Sequence, residues 1–228
     1  MGQAPRTVDV SADLLRQRIL DGEFAAGHRL PPERRLSEEL GISRLTLRAA
    51  IARLQSEGLV QPRQGDGVHV LDYQREAGVE LLPHLLEHGQ LDLLAPFLQL
   101  RRALAAEALA EASVRATDAE LDTLDALAGT LATADGQALR DGNIEFSRRI
   151  VELAGNLPML LLFNTVTRVY RSRPDIAEAM LVDPAAVRAS FAAIVQLLRL
   201  RDPEAARRAV RAVLEALDAA TLRSLEAP

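Results

Sequence analysis

The stretch that decides the fold runs from Leu30 to Ile51 and reads LPPERRLSEELGISRLTLRAAI. It opens with a Pro pair and a helix of about two turns, and Gly41 closes that helix in the usual Pro-start, Gly-stop order. Ser43 can cap the next helix. The apolar residues of that second helix recur at the helical spacing i, i+3, i+4 and i+7, at Leu47, Ala50, Ile51 and Leu54. A short helix, a glycine turn and a capped second helix are what is needed to place a recognition helix in the major groove of DNA.

Elements on either side complete a small domain. On the N-terminal side, Ser11 can cap a helix that ends near Asp21. On the C-terminal side, Gly58 ends the recognition helix, and segments 59–61 and 68–70 flank a Gln-Gly-Asp-Gly turn, which is typical of a β-hairpin. We therefore expect residues 1–72 to form a winged helix-turn-helix, with three helices and a small hairpin as the wing.

Side chains at the start of the recognition helix are the candidate DNA contacts. Arg44, Leu45, Thr46 and Arg48 lie away from its apolar face, where they can reach base edges or phosphates. Arg34, in the preceding helix, can reach the same groove. A single arginine of this kind is as often a solvated surface charge, but several converge here. The chain has no Lys, so every basic contact must come from Arg, which pairs bidentately with phosphate or guanine.

The same residues resemble the GntR family of winged-helix regulators. The similarity continues without a gap through residues 58–60 and 63–70. It implies a sequence-specific, DNA-binding transcription regulator with Gly65 at the wing tip, near the minor groove. The operator contacts that the resemblance implies in the two helices are Arg34, Arg44, Thr46 and Arg48.

Two positions depart from the family's pattern. Leu45 stands where a polar residue is usual, and Asp66 replaces a basic or small residue of the wing. An acid beside DNA phosphates lowers affinity, so we expect Asp66 to weaken the wing contact. The full set of predicted DNA contacts is Arg34, Ser43, Arg44, Leu45, Thr46, Arg48, Gln64 and Gly65.

The remainder of the chain reads as helices. A polar stretch at 73–78 predicts a linker, and residues 79–228 predict an all-α domain of about six or seven helices that binds an effector and dimerises. Aromatic residues make up 3% and hydrophobic residues 48% of the chain, which favours helices packed by Ala and Leu and a mainly α fold class. The predicted helices span 79–88, 91–111, 118–134, 136–154, 158–173, 184–201 and 203–225.

Charge and composition exclude several classes of protein. The net charge of −5 lies entirely in the C-terminal part, because residues 1–70 contain ten Arg and nine acidic residues. Cysteine is absent, which excludes disulfides and thiolate metal sites. Neither a membrane-spanning run nor a signal peptide is recognisable, so we expect a cytoplasmic protein with no membrane partner.

Motifs for an enzyme are weak. His84 and His88 share a helix face at i, i+4, but the sequence between them does not form HExxH. Neither GxxxxGK[ST] nor GxSxG occurs, so nucleotide hydrolysis and nucleophile-elbow chemistry lack their residues. We expect the protein not to be an enzyme.

The helical part looks like the effector domain of the FadR subfamily of the GntR family, through residues 100–104 (LRRAL) and 155–158 (GNLP). Many members of that subfamily bind a divalent metal through an Asp, a His four residues on and two later His. Aligned on this pattern, the chain has Asn143, Ser147, Phe191 and Val213 at those positions. All four His lie at or before residue 88, so three imidazoles cannot meet on the later helices. We predict no metal and no other cofactor.

Without a metal the pocket should be more apolar, as in the acyl-CoA-responsive regulator that names the subfamily. Residues 79–86 resemble the linker helix of that regulator. This resemblance implies a fatty acyl-CoA or another amphipathic acid as effector. Arg101 is the main candidate for contacting an anionic group; alternatively, it forms an ion pair with Glu107 or another acid. The full set of predicted effector contacts is Arg101, Asn143, Ser147, Asn156, Asn164, Arg168, Tyr170, Phe191 and Val213.

The expected assembly is a two-fold homodimer that reads a palindromic operator, with the effector changing the spacing of the recognition helices. Two alternatives stay open. In one, the protein binds DNA as a dimer without any effector and the helical bundle only holds the dimer together. In the other, the effector is a small carboxylate bound without a metal.

Overall fold

The computed structural model describes residues 7–87, 91–181 and 183–226. The chain divides into two compact units, and the second begins at residue 89, where the sequence had predicted a domain start at 79. His88, one member of the predicted histidine pair, lies outside the described residues, as does the start of the first predicted domain.

The first unit contains the elements that the sequence predicted. Its helices are α1 (Val8–Leu20), α2 (Glu33–Leu40) and α3 (Arg44–Ser56), and its hairpin joins β1 (Val60–Arg63) to β2 (Gly67–Val70). Thr7, and not Ser11, caps α1: the Thr7 side chain accepts from the Val10 amide, whereas Ser11 lies buried inside the helix. The three helices and the antiparallel hairpin confirm the predicted mainly α fold with a small wing.

The core of this unit lies between α1 and α3. The predicted apolar face of α3 is buried, with Leu47 and Leu54 fully inaccessible and Ile51 6% exposed. The hairpin pairs Val60 with Val70 at its base, and a short extended segment at Arg29 adds a further bridge to β2. This packing leaves the N-terminal turn of α3 and the hairpin tip exposed.

The segment predicted as a linker is ordered and partly helical. Helix α4 (Tyr73–Glu76) is followed by a 3-10 turn (Val79–Leu81) and by α5 (Leu82–Glu87), and all belong to the first unit. The reason is local packing at Gly58, where an added Cβ would lie only 2.5 Å from the Glu76 carbonyl oxygen. The tight approach of α4 to this glycine extends the first unit beyond the predicted boundary.

A buried ion pair joins α1 to the end of α3. Arg16 is completely buried, and its Nε and Nη2 each donate to Glu57 at 2.7 Å. Asp13 accepts from Nη1 of the same guanidinium at 2.5 Å. This pair was not predicted, because the two residues are separated by a long stretch of chain.

The second unit is a helical bundle. Its helices are α6 (Leu94–Arg115), α7 (Asp118–Leu131), α8 (Gly136–Leu153), α9 (Leu157–Ser172), α10 (Pro174–Ala179), α11 (Pro184–Arg199) and α12 (Pro203–Glu226). Only α10 was not predicted; it is a short helix directly after α9. At the centre, the rings of Phe146 and Phe191 pack 4.8 Å apart. Among the described residues, none of the helices is both long enough and apolar enough to cross a bilayer.

We predict that Glu57→Gln destabilises the first unit by about 3 kcal/mol, because it leaves the buried Arg16 charge without its bidentate partner. Native-state hydrogen exchange of amides in α1 and α3 of the full chain measures this change. The matched control is Glu38→Gln, whose partner Arg34 is 73% exposed, and it should cost about 0–1 kcal/mol. Equal effects of the two substitutions would contradict the assignment of the buried pair as the tie between α1 and α3.

Candidate DNA-binding surface and effector cavity

The N-terminal turn of α3 is capped and exposed. Ser43 Oγ accepts from the Thr46 amide at 3.0 Å and lies 2.8 Å from Thr46 Oγ1, so both hydroxyl groups are engaged in the cap. Leu45 is 80% exposed, which makes it the most exposed large apolar side chain among the described residues. The predicted recognition turn therefore presents both polar and apolar groups to solvent.

The three arginines predicted for DNA contact differ in how they are held. Arg34 lies 3.4 Å from Glu38, and Arg48 donates to Glu33 at 2.9 Å. Arg44 is exposed, and within the described part of the chain no ion pair or hydrogen bond holds its guanidinium. Exposed ion pairs contribute little stability, so Arg34 and Arg48 can exchange their carboxylates for phosphates at small cost.

The wing tip places Gln64 and Gly65 in solvent, and Gly65 has a positive φ of 76° that favours glycine. Asp66 lies 2.7 Å from His69 Nε2 and 3.8 Å from the Arg29 guanidinium. Arg29 offsets part of the acid's charge. Sequence patterns could not reveal this counter-ion because Arg29 lies far from Asp66 along the chain.

A cavity of about 360 Å³ lies in the second unit, between α6, α8, α9, α10, α11 and α12. Its walls are mostly aliphatic and aromatic. Six of the residues predicted for effector contact line it: Arg101, Asn143, Ser147, Tyr170, Phe191 and Val213. The structure thus brings together residues from five separate helices that the sequence had assigned to one pocket.

The remaining three predicted contacts do not line this cavity and have other roles. Asn156 caps α9 by accepting from the Met159 amide at 3.1 Å. Asn164 accepts from Arg148 at 3.1 Å, and Arg168 donates to Thr165 at 2.9 Å. Their polar groups are used within or beside α9.

The four residues aligned to the subfamily's metal ligands all face the same cavity. Asn143 and Ser147 lie one turn apart on α8, Phe191 lies on α11 and Val213 on α12. An amide, a hydroxyl, a phenyl ring and an isopropyl group do not form a ligand set for a divalent metal, which prefers imidazole and carboxylate here. The described residues contain no cluster of three or more His, Cys, Asp or Glu that could hold one.

A group of charged and polar side chains closes one end of the cavity. Arg101 Nη2 donates to Asp218 on α12 at 2.5 Å, and Arg102 lies 3.3 Å from the other oxygen of the same carboxylate. The sequence left Glu107 or another acid open as the ion-pair partner of Arg101, and the structure shows Asp218 in that position. Glu107 instead accepts from Arg207 at 2.8 and 2.9 Å.

Sequence analysis missed Asp218, although a signal for it exists. On α12, Ala206, Val210 and Thr221 are buried at helical spacing, and Asp218 falls on the same stripe. An acid on a buried stripe requires a cationic partner, and Arg101 and Arg102 supply it from α6. The long separation along the chain hides this pairing.

Burial shifts the pKa values of two side chains in this cluster, Asp218 and Tyr170. Burial raises the pKa of the Asp218 carboxyl, and Arg101 and Arg102 oppose that rise. Burial likewise raises the pKa of Tyr170, which keeps its phenol protonated. Arg101 Nε and Tyr170 OH are buried and make no hydrogen bond of ordinary geometry within the described residues, and Asp218 Oδ2 has only its 3.3 Å ion pair with Arg102. The end of the cavity therefore holds hydrogen-bonding capacity that the protein itself does not use.

Comparisons with known proteins follow the same division of the chain. Residues 9–70 match the model for bacterial regulatory proteins of the gntR family, and residues 97–216 match the FCD domain. The chain is 32% identical to the HTH-type transcriptional regulator Mce2R of Mycobacterium tuberculosis over 204 residues, which cover 86% of this chain and 84% of that protein. It is 30% identical to the HTH-type transcriptional repressor NanR of Citrobacter rodentium over 215 residues, which cover 90% and 81% of the two chains.

A solved structure shares the fold. The Listeria monocytogenes protein Lar, which controls expression of the agr system in that organism, superposes with a TM-score of 0.60 at 19% identity. The superposition covers 97% of this chain and 99% of that one.

We predict that the protein binds no stoichiometric divalent metal, and that Asn143→Asp, Ser147→His, Phe191→His and Val213→His together create a site. Added Zn²⁺ or Mn²⁺ should raise the Tm of this fourfold variant by binding its folded state, and should leave the wild-type Tm unchanged. The same variant in excess EDTA is the control for its intrinsic stability. A metal bound one-to-one to the wild type would contradict the prediction.

Proposed function

We propose, since the chain belongs to the gntR family of bacterial regulatory proteins and carries an FCD domain, that an effector in its helical cavity controls operator binding. Membership of this family makes the protein a DNA-binding transcription regulator and not an enzyme. The contacts with DNA, the assembly and the effector are the parts that we propose.

The recognition turn of α3 enters the major groove and Arg44 reads a base edge there. Its guanidinium is exposed and is not engaged within the described chain, which suits a bidentate contact with guanine. Leu45 is 80% exposed and suits the methyl group of a thymine. Arg34 and Arg48 exchange their acidic partners for phosphates. Ser43 and Thr46 at the start of α3, and Gln64 and Gly65 in the wing, complete the surface.

The protein binds its operator as a homodimer. A two-fold dimer presents two recognition helices to the two halves of a palindromic site, about one helical turn of DNA apart. The support for this is the symmetry argument together with the small size of a single recognition turn, which reads too few bases to select one site.

The effector is an amphipathic acid, with an aliphatic body in the cavity and an anionic group at its Arg101 end. One observation carries this proposal: a mostly apolar cavity of about 360 Å³ has a guanidinium and a phenol in its lining. That volume lies near the lower limit of typical ligand pockets, about 300–1,000 Å³. It favours a free medium-chain acid, whereas a fatty acyl-CoA would have to leave its nucleotide outside.

The other candidates fit less well. A small carboxylate would leave most of the apolar wall uncovered, and an effector-independent dimer gives the cavity no role.

The binding of effector and the binding of operator are thermodynamically linked. An effector that weakens DNA binding must therefore itself bind less tightly to the DNA-bound protein.

We predict that Arg44→Ala lowers operator affinity about 5- to 150-fold, since a bidentate base contact contributes about 1–3 kcal/mol. Arg48→Ala should weaken binding to all sequences and reduce the salt slope by about 2 for the dimer, since each protomer loses one phosphate contact worth about 1. Gel-shift titrations at several salt concentrations measure both effects. The matched control is Arg115→Ala, which removes the same charge from an exposed side chain of the second unit. Unchanged operator binding by Arg44→Ala and Arg48→Ala would contradict the recognition-helix assignment.

We predict that decanoate raises the Tm of the protein and changes its operator affinity, and that the variant Arg101→Gln/Asp218→Asn loses both responses. This variant removes the Arg101 charge together with its carboxylate partner, and the charge left without Asp218 is that of Arg102, whose side chain is 24% exposed. Its control is Arg199→Gln/Asp122→Asn, which neutralises an ion pair of 2.8 Å near the surface of the same unit. At a hundred times its dissociation constant, a ligand stabilises the fold by about 2.7 kcal/mol. If decanoate stabilises both double variants equally, the anion does not bind at Arg101.

A further inference from the structure

The guanidinium offered to the effector is already engaged by the protein itself. Arg101 lines the cavity, and Asp218, which is 3% exposed, accepts from its Nη2 at 2.5 Å. An acid that enters the cavity therefore meets a cation whose charge is partly used. The two carboxylates, one from the ligand and one from α12, compete for the same guanidinium.

The charges at this end of the cavity do not balance. Arg101 and Arg102 bring two positive charges against the single carboxylate of Asp218, and the Tyr170 phenol is neutral. The net charge of the group therefore attracts an anion that enters the cavity. Arg101 Nε and Tyr170 OH, which make no hydrogen bond of ordinary geometry within the described residues, are donors that such an anion can use.

We propose that Asp218 is a built-in competitor for the effector's carboxylate: an acid that binds at Arg101 displaces Asp218, which then takes up a proton from solvent. The inference rests on the proposed function, because it concerns the same cavity. The ligand remains a carboxylate throughout, and the proton is added to an Asp218 oxygen, so charge and atoms balance.

The surroundings of Asp218 explain the proton uptake. Two cations from α6, Arg101 and Arg102, face the carboxyl, while Tyr170 from α9 is neutral and Glu215 on α12 opposes ionisation. Burial already raises the pKa of Asp218, and Arg101 is the largest opposing influence. When the ligand takes Arg101, that influence is lost and the pKa of Asp218 rises further.

The test compares wild type with Asp218→Asn, using decanoate and the uncharged 1-decanol as probes. We expect Asp218→Asn to bind decanoate at least tenfold more tightly than wild type, because the competitor is gone. Both proteins should bind 1-decanol equally, since an alcohol does not need Arg101. Isothermal titration calorimetry gives the affinities, and far-UV circular dichroism checks that the variant is folded.

A second measurement needs no variant. Calorimetry of the wild type in buffers of different ionisation enthalpy should show uptake of about one proton per decanoate. Because binding takes up a proton at Asp218, affinity for decanoate should rise as pH falls, and this pH dependence should be lost in Asp218→Asn.

The outcomes separate the inference from the proposed function. Equal decanoate affinities for the two proteins, or binding to wild type without proton uptake, overturn the competitor role and leave the effector cavity in place. Failure of decanoate to bind either protein overturns both, because Asp218→Asn leaves Arg101 free to receive an acid.

Discussion

A charge removed from water must be paired, and both units of this protein are organised by that constraint. In the first unit, Arg16 is fully buried and is held by Glu57 through two hydrogen bonds of 2.7 Å. In the second, Asp218 is buried on α12 and is held by Arg101 and Arg102 on α6. Breaking one partner of such a pair leaves an uncompensated charge, which costs far more than the pair itself contributes. Each pair therefore fixes how two distant helices meet.

These long-range pairs mark the limit of what the sequence could predict. The winged helix was predictable because its signals are local: the proline start and glycine end of α2, the Ser43 cap of α3 and the apolar spacing after it. The helical bundle was predictable from breakers for the same reason. Partners such as Glu57 and Asp218 are hidden because nothing near them in sequence indicates which cation will reach them. The boundary between the units moved because a glycine at 58 lets α4 pack closely.

The cavity shows a different relation between sequence and structure. Alignment to a metal-site pattern brought Asn143, Ser147, Phe191 and Val213 together, although none of them suits a metal, and the structure places all four around one space. Of the residues predicted to contact an anionic group, Arg101 and Tyr170 line the same space, whereas Asn156, Asn164 and Arg168 do not and are used within or beside α9. Alignment to the family's pattern was therefore a better guide to the pocket than residue chemistry.

Filling a cavity is not enough to regulate DNA binding. A ligand shifts an equilibrium between two conformations only by the difference between its affinities for them. An apolar molecule that occupies preformed space supplies little of this difference. In the proposed binding mode, an acid that displaces Asp218 supplies it directly, because the Arg101–Asp218 ion pair between α6 and α12 exists in the free protein and would be absent from the complex. On this argument, a ligand in the cavity changes the structure because it competes with the Asp218 carboxylate of α12 for Arg101.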